Sequence, residues 1–216
     1  MQAVVQHHLG EVPRFTTFHD PEPRAGEVIV RVGAALVRPS DLAIARGQHP
    51  RTPLELPYVC GRDGVGYLSD GQRVYYRASR SPFGAMAESV PAEWVVPVPE
   101  GVDTAMAAAL TGPALTAWLP LAVRADMAPG ETVLVLGASG VVGQLAVQAA
   151  RLQGAGRIIA AGHRIDLLNM LGADALIDLG QAPSALQHAF ATYAADGIDV
   201  VIDFVWARSW NCCSLH

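Results

Sequence analysis

The stretch Glu131-Thr-Val-Leu-Val-Leu-Gly137-Ala-Ser-Gly140-Val-Val-Gly143-Gln-Leu-Ala-Val-Gln-Ala-Ala-Arg151 reads as a buried strand, a glycine turn and an amphipathic helix, in that order. Thr132 to Leu136 form an unbroken apolar, β-branched run, the pattern of a strand covered on both faces, and such strands belong to parallel sheets. Gly137, Gly140 and Gly143 follow at intervals of three. The first lets the chain turn tightly, the second lets backbone N–H groups approach a pyrophosphate, and the third lets the helix pack closely on the strand. Ser139, Val141 and Val142 fill the turn and join the three glycines as candidate cofactor-binding residues. The pyrophosphate is expected on the helix N-terminus, where unpaired N–H groups and the macrodipole favour an anion. A lone glycine triplet says little. Strand, turn and helix in the required order make it a dinucleotide cradle.

The 216 residues allow one large domain or two small ones, and 51% hydrophobic content leaves ample material for cores. A net charge of −5, with basic residues scattered singly, gives no electrostatic footprint for nucleic acid or an anionic membrane surface. The start, Met1-Gln-Ala-Val-Val-Gln-His-His8, lacks the basic opening and long apolar core of a signal peptide. No run is expected to reach the roughly 18 apolar residues of a membrane span, so a cytoplasmic location follows. Cys60, Cys212 and Cys213 are odd in number, two are adjacent, and no C-x-x-C occurs. Neither a disulfide framework nor a thiolate metal site is supported.

The character of the chain changes near residue 100. Before it, short apolar runs such as Val28-Ile-Val-Arg-Val32, Arg73-Val-Tyr-Tyr76 and Trp94-Val-Val-Pro-Val98 are separated by Pro and Gly, which predicts a mostly antiparallel β domain over residues 1–112. After it, strands are expected near 132–137, 157–161, 175–178 and 199–205, with helices near 141–153, 164–171 and 183–194 between them. That alternation predicts a partial doubly wound α/β domain over residues 113–205. Residues 103–110 and 115–123 read as two connecting helices, the second interrupted by Pro120.

Several segments together carry a resemblance. Gly26-Glu-Val-Ile-Val-Arg-Val32, Pro39-Ser-Asp-Leu42, Gly61-Arg-Asp-Gly-Val-Gly66, Gly84-Ala-Met-Ala-Glu88, Leu115-Thr-Ala-Trp118, the glycine turn and Leu171-Gly-Ala-Asp174 occur in an order that resembles the medium-chain dehydrogenase/reductase family. Within it the chain is most similar to the zinc-free quinone oxidoreductase branch typified by zeta-crystallin. The resemblance implies a GroES-like β domain carrying much of the substrate site and a Rossmann domain carrying NAD(P)H. It also implies a homodimer and a small-molecule quinone or α,β-unsaturated carbonyl (enone) as acceptor.

Zinc-dependent members of that family place metal ligands where this chain has Arg38, Arg62 and Gly112, and two cations and a glycine cannot supply thiolate and imidazole donors. The seven histidines show no ligand spacing, so no catalytic metal is expected. Hydride delivery to a conjugated acceptor then remains, with a hydroxyl or water supplying the proton. Ser40 stands where the zinc enzymes place a proton-relay hydroxyl, and it also reads as a helix N-cap. His49, in Gly47-Gln-His-Pro50, lies where the branch often has a tyrosine near the nicotinamide, and it also reads as a surface-loop residue. These two are the candidate catalytic residues.

The end of the second strand, about 20 residues past the glycines, is where a carboxylate would hold the ribose of NAD. Here stands Ala160-Ala-Gly-His-Arg164, with no carboxylate to repel a 2′-phosphate and with His163 and Arg164 to bind it beside Gly162, so NADPH is the expected cofactor. Thr116 resembles the family's threonine beside the nicotinamide, and a helix-interior threonine bonded to its own backbone is the alternative.

Doubly wound dinucleotide domains use about six strands and four are legible here. Residues 206–216, Trp206-Ala-Arg-Ser-Trp-Asn-Cys-Cys-Ser-Leu-His216, match neither the preceding pattern nor the family, as a truncated or frameshifted reading frame would produce. The strand near 199–205 is then expected to be an exposed apolar edge. The leading expectation is an NADPH-dependent, zinc-independent oxidoreductase. A catalytically defective nucleotide-binding fragment is the second reading, and an alcohol dehydrogenase-like NAD enzyme a weaker third.

Overall fold

Alternation of apolar and polar residues builds the first unit, and unbroken apolar runs build the second. The computed structural model describes residues 1–205, and the unusual segment 206–216, with Cys212 and Cys213, lies outside the described residues. The chain divides into two units between Thr111 and Gly112.

The first unit contains β1 (Gln2–Gln6), β2 (Arg14–Thr17), β3 (Val28–Ala35), α1 (Pro39–Ala45), β4 (Tyr58–Val59), β5 (Asp63–Tyr67), β6 (Arg73–Arg77), β7 (Ser89–Ala92) and β8 (Val95–Pro97). The strands form two antiparallel sheets among the described residues, in the orders β2-β1-β4 and β7-β3-β5-β6-β8. The register of β3 against β5 shifts between Val32 and Ala34, an irregularity that adds local twist to the larger sheet. Val30, Val74, Tyr76 and Val90 are fully buried on one of its faces. Val65 and Tyr75 lie on the other face, under Ala107 and Ala108.

The second unit follows the predicted alternation: β9 (Thr132–Leu136), α3 (Val141–Leu152), β10 (Arg157–Gly162), α4 (Ile165–Leu168), β11 (Ala175–Asp178), α5 (Pro183–Ala194) and β12 (Val200–Asp203). The strands are parallel and ordered β11-β10-β9-β12, which puts the glycine-turn strand inside the sheet. Successive residues of β9 face opposite layers. Val133 and Val135 pack with Ala146, Ala150 and Leu168, while Leu134 and Leu136 pack with Ile177 and Phe190. Asp174 fastens the sheet at its other end, where its carboxylate accepts the Ile158 N–H at 2.7 Å and the Arg151 guanidinium at 3.0 Å. β12 forms one edge of the described sheet, with Val201 exposed and Val200 and Ile202 buried.

Two helical expectations are corrected. The segments read as separate helices are one helix, α2 (Thr104–Leu119), which runs through Pro113 and continues into a π-helical turn over Pro120–Arg124. Each proline removes a single N–H. At Pro120 the bonding shifts outward, so that the Ala125 N–H reaches the Pro120 carbonyl at 2.8 Å and the helix widens instead of stopping. The combined helix Thr104–Arg124 is 21 residues long with a mean hydropathy of 1.5, long and apolar enough to cross a membrane. Splitting it at proline hid that length. Its Ala117 and Leu121 are fully buried against β9 and β12 residues in the core of the second unit. The helix expected over 164–171 is four residues long and then tightens into turns, with Met170 and Leu171 bonding back three residues before Gly172.

Core packing of the second unit sets its stability. Replacing the fully buried Ile158 by Ala is expected to cost about 2–5 kcal/mol in chemical unfolding, whereas Leu152→Ala, at a site 77% exposed, should fall within about 0.5 kcal/mol of the parent.

Candidate functional site

The glycine turn starts where β9 ends. Gly137 has φ +83°, a left-handed conformation that a side chain rarely adopts, and the turn is tied to the neighbouring strand because the Gly137 and Ala138 N–H groups both donate to the Ala161 carbonyl at 2.9 Å. Gly140 caps α3 in extended conformation with no side-chain hydrogen bond, and the Gln144 N–H returns to its carbonyl at 2.9 Å. The Val141, Val142 and Gly143 N–H groups therefore have no acceptor among the described residues, as the first turn of a helix requires. The Gln144 side-chain amide holds the Ser139 carbonyl at 3.1 Å.

A side chain at either end of this turn would act very differently. A Cβ at Gly143 would lie 2.2 Å from the Gly137 carbonyl oxygen and 2.6 Å from the Ala138 Cα, so the helix rests on the turn with no room for one. At Gly140 the nearest atom would be that same oxygen at 3.4 Å, which is ordinary contact. The fold demands a glycine at 143 and leaves the space at 140 open, the arrangement a cradle for a pyrophosphate needs. Gly162, at the end of β10, sits directly beside the turn, where an added Cβ would be 2.7 Å from the Ser139 Oγ.

His163 and Arg164 follow at the carboxyl end of β10 and are exposed. Arg164 is the N-cap residue of α4, and its carbonyl accepts the Leu167 and Leu168 N–H groups. One carboxylate that sequence reasoning passed over stands in this neighbourhood. Asp178 ends β11 in register with Gly162, and its Oδ1 accepts the Gly180 N–H at 2.8 Å. Only strand register could have located it. Thr116 is exposed on α2 and its hydroxyl donates to the Gly112 carbonyl at 3.0 Å, the self-bonded arrangement of a helix-interior threonine, with its lone pairs still open.

Ser40 and His49 belong to the first unit. Ser40 is not the N-cap of α1. Arg38 holds that place, with its backbone N–H donating to Asp41 Oδ2 at 2.7 Å, so the half-buried Ser40 is the second helical residue. His49 Nδ1 accepts the Arg51 N–H at 3.1 Å, which leaves the proton of the neutral ring on Nε2. The Arg38 guanidinium grips Asp63 through two bonds of 2.7 and 3.2 Å, and the Tyr75 hydroxyl donates to the same carboxylate at 2.7 Å. Burial together with that carboxylate pushes the Tyr75 pKa up. No cluster of three potential metal ligands occurs among the described residues. Beside α1 lies a cavity of about 320 Å³, whose lining includes Asp41, Tyr58, Cys60, Arg62, Arg77 and Phe83.

A curled antiparallel unit followed by a parallel sheet with a glycine turn defines a GroES-like and Rossmann architecture, and comparison with known proteins places it further. No family model matches the chain. A mycocerosic acid synthase-like polyketide synthase of Mycobacterium tuberculosis is 33% identical over 205 residues, which cover 88% of this chain and 10% of that protein. The chloroplastic NADPH-dependent alkenal/one oxidoreductase of Arabidopsis thaliana is 32% identical over 179 residues, 73% of this chain and 46% of its own length. The quinone oxidoreductase of Thermus thermophilus, also solved with NADPH, superposes with a TM-score of 0.82 at 32% identity over 98% of this chain and 69% of that one. The chain belongs to the medium-chain dehydrogenase/reductase family, in its zeta-crystallin-like quinone oxidoreductase branch. It spans less than half the length of the two curated relatives named here.

The two glycines separate folding from binding. Gly143→Ala is expected to destabilise the second unit by about 3 kcal/mol through overpacking, and Gly140→Ala to leave stability nearly unchanged, both read by thermal and chemical unfolding.

Proposed function

We propose that this chain is an NADPH-dependent oxidoreductase that reduces a quinone or α,β-unsaturated carbonyl by hydride transfer without a catalytic metal. The observation that carries the reading is the open N-terminus of α3 beside an exposed Arg164 and His163 at the end of β10. Three unpaired N–H groups and the helix dipole suit a pyrophosphate, and the absence of a side chain at Gly140 leaves it room to approach. Arg164 and His163 stand where a ribose 2′-phosphate would require positive charge, while the one carboxylate in register, Asp178, is engaged by the Gly180 N–H. NADPH, when bound, supplies a hydride to an acceptor already activated by conjugation.

The remaining chemistry falls to the chain's own groups. Orientation comes from the cradle, which fixes one end of the cofactor. The proton that completes the reduction is assigned to the Ser40 hydroxyl or a water, with His49 Nε2–H as the second donor. Metal independence is supported by the donors at the positions where zinc-dependent relatives hold their ligands. Arg38 is locked to Asp63, Arg62 is a cation, and Gly112 has no side chain. None can donate a lone pair to zinc.

A charge-assisted hydrogen bond is worth about 1.5–3 kcal/mol, or roughly ten- to hundred-fold in affinity. Arg164→Ala is therefore expected to weaken NADPH binding by roughly tenfold or more while changing NADH binding less than about twofold, as read by nicotinamide fluorescence titration. Equal losses for the two nucleotides would remove the 2′-phosphate assignment. Adding a quinone or an enone to the NADPH complex should then oxidise it at a rate indifferent to a chelator. Binding with no oxidation sinks the catalytic reading for this chain, and activity restored only by zinc sinks metal independence.

A further inference from the structure

The cavity of the first unit gathers more positive charge than its surroundings neutralise. Arg51, Arg62, Arg77 and Arg80 line it, against the single carboxylate of Asp41. Arg80 is paired with Glu27 at 3.0 Å. Burial opposes ionisation of Glu27, but hydrogen bonds from Ser79, the Arg24 backbone and Arg80 outweigh it and hold the carboxyl at about 2. Arg38, close by, is held by Asp63. The guanidinium groups of Arg51, Arg62 and Arg77 have no hydrogen bond or ion pair among the described residues. Burial lowers the Arg62 pKa, and the fields of Arg77, Arg51 and Arg38 lower it further against the opposing pull of Asp63. That is the sign of cations held together without enough counter-charge.

A second, independent observation faces the same space. Tyr58 lines the cavity, is 4% exposed, and its hydroxyl has no hydrogen-bond partner. Burial and the nearby Cys60 push its pKa up to about 12, so the group is a permanent O–H donor at neutral pH. A buried hydroxyl without a partner keeps its desolvation penalty, which a ligand acceptor would relieve. Asp41 Oδ1 is likewise buried and unpartnered, and suits a hydroxyl or protonated oxygen on the same ligand. Cys60 supplies no thiolate there, because burial and Asp41 push its thiol up to about 11.

We propose that this cavity binds the oxyanion, carboxylate or phosphate, of a small acidic molecule, held by Arg62, Arg77 and Arg51 with the Tyr58 hydroxyl as the neutral donor. Guanidinium groups present paired N–H donors that match both oxyanions. A volume of about 320 Å³ admits a substituted ring or a short chain. Under the oxidoreductase reading the occupant is the acceptor, which then carries an acidic group. That identification rests on the proposed function, whereas oxyanion binding does not.

The test is amide chemical-shift mapping on the ¹⁵N-labelled chain, titrated at constant ionic strength with inorganic phosphate, with benzoate and with chloride as control. Saturable shifts are expected across residues 61–63 and 77–80, half-complete at on the order of 1 mM. Saturation by both probes assigns a general oxyanion site, and saturation by one assigns it to phosphate or to carboxylate. The double variant Arg62→Gln with Arg77→Gln should weaken the response roughly tenfold or more. Tyr58→Phe, which removes only the unpartnered hydroxyl, should weaken it roughly three- to tenfold. No saturable shift with either probe, or the same response in both variants, overturns the proposal. Phosphate held by the glycine turn would appear separately, in residues 139–143, so each site can fail while the other stands.

Discussion

How near α3 can come to β9 governs the second unit. At Gly143 the helix backbone meets the Gly137 carbonyl with no space for even a methyl group. That contact lets Ala146, Val147 and Ala150 reach the sheet, and small side chains there draw the helix closer still. It also fixes where the helix begins, and so where three N–H groups lack acceptors. Layer packing and an open helix N-terminus are thus two outcomes of a single steric constraint.

Much of this was legible from residue pattern because the second unit is built from signals that act locally. The run from Thr132 to Leu136 could only be a strand buried on both faces, and β11 and α5 fall where their turns and periodicity put them. Proline misled at α2, where a local breaker was overridden by continued helical bonding on either side and by a π-helical turn that absorbs the missing donor. Non-local facts stayed hidden. Nothing in the spacing of Arg38, Asp63 and Tyr75 says that a guanidinium and a phenol meet on one carboxylate, because that follows from sheet register between β5 and β6. Asp178 became visible for the same reason, through its pairing with Gly162. The glycine turn could be read from the sequence itself, whereas the cavity could not, since its lining comes from α1, the loop after it, β4 and the segment beyond it, and the end of β6 with the segment that follows.

The Arg38–Asp63–Tyr75 cluster shows how a buried carboxylate is held in order by hydrogen bonds alone. Asp63 is 6% exposed, and a carboxylate so placed is tolerable only with several donors. Two guanidinium N–H groups and one phenol supply them. The planar guanidinium of Arg38 thereby ties the start of α1 to β5 through hydrogen bonds. Arg38 also begins α1, so the same residue starts the helix and anchors it to β5.

Two glycines three residues apart are constrained in different ways. A change at position 143 is filtered by whether the chain folds at all, but a change at 140 meets no such filter, because the space beside it is open. A lineage in which nucleotide binding ceased to matter would therefore accumulate side chains at 140 while 143 stayed glycine. Under the proposed function, position 140 would answer to nucleotide binding and position 143 to architecture alone.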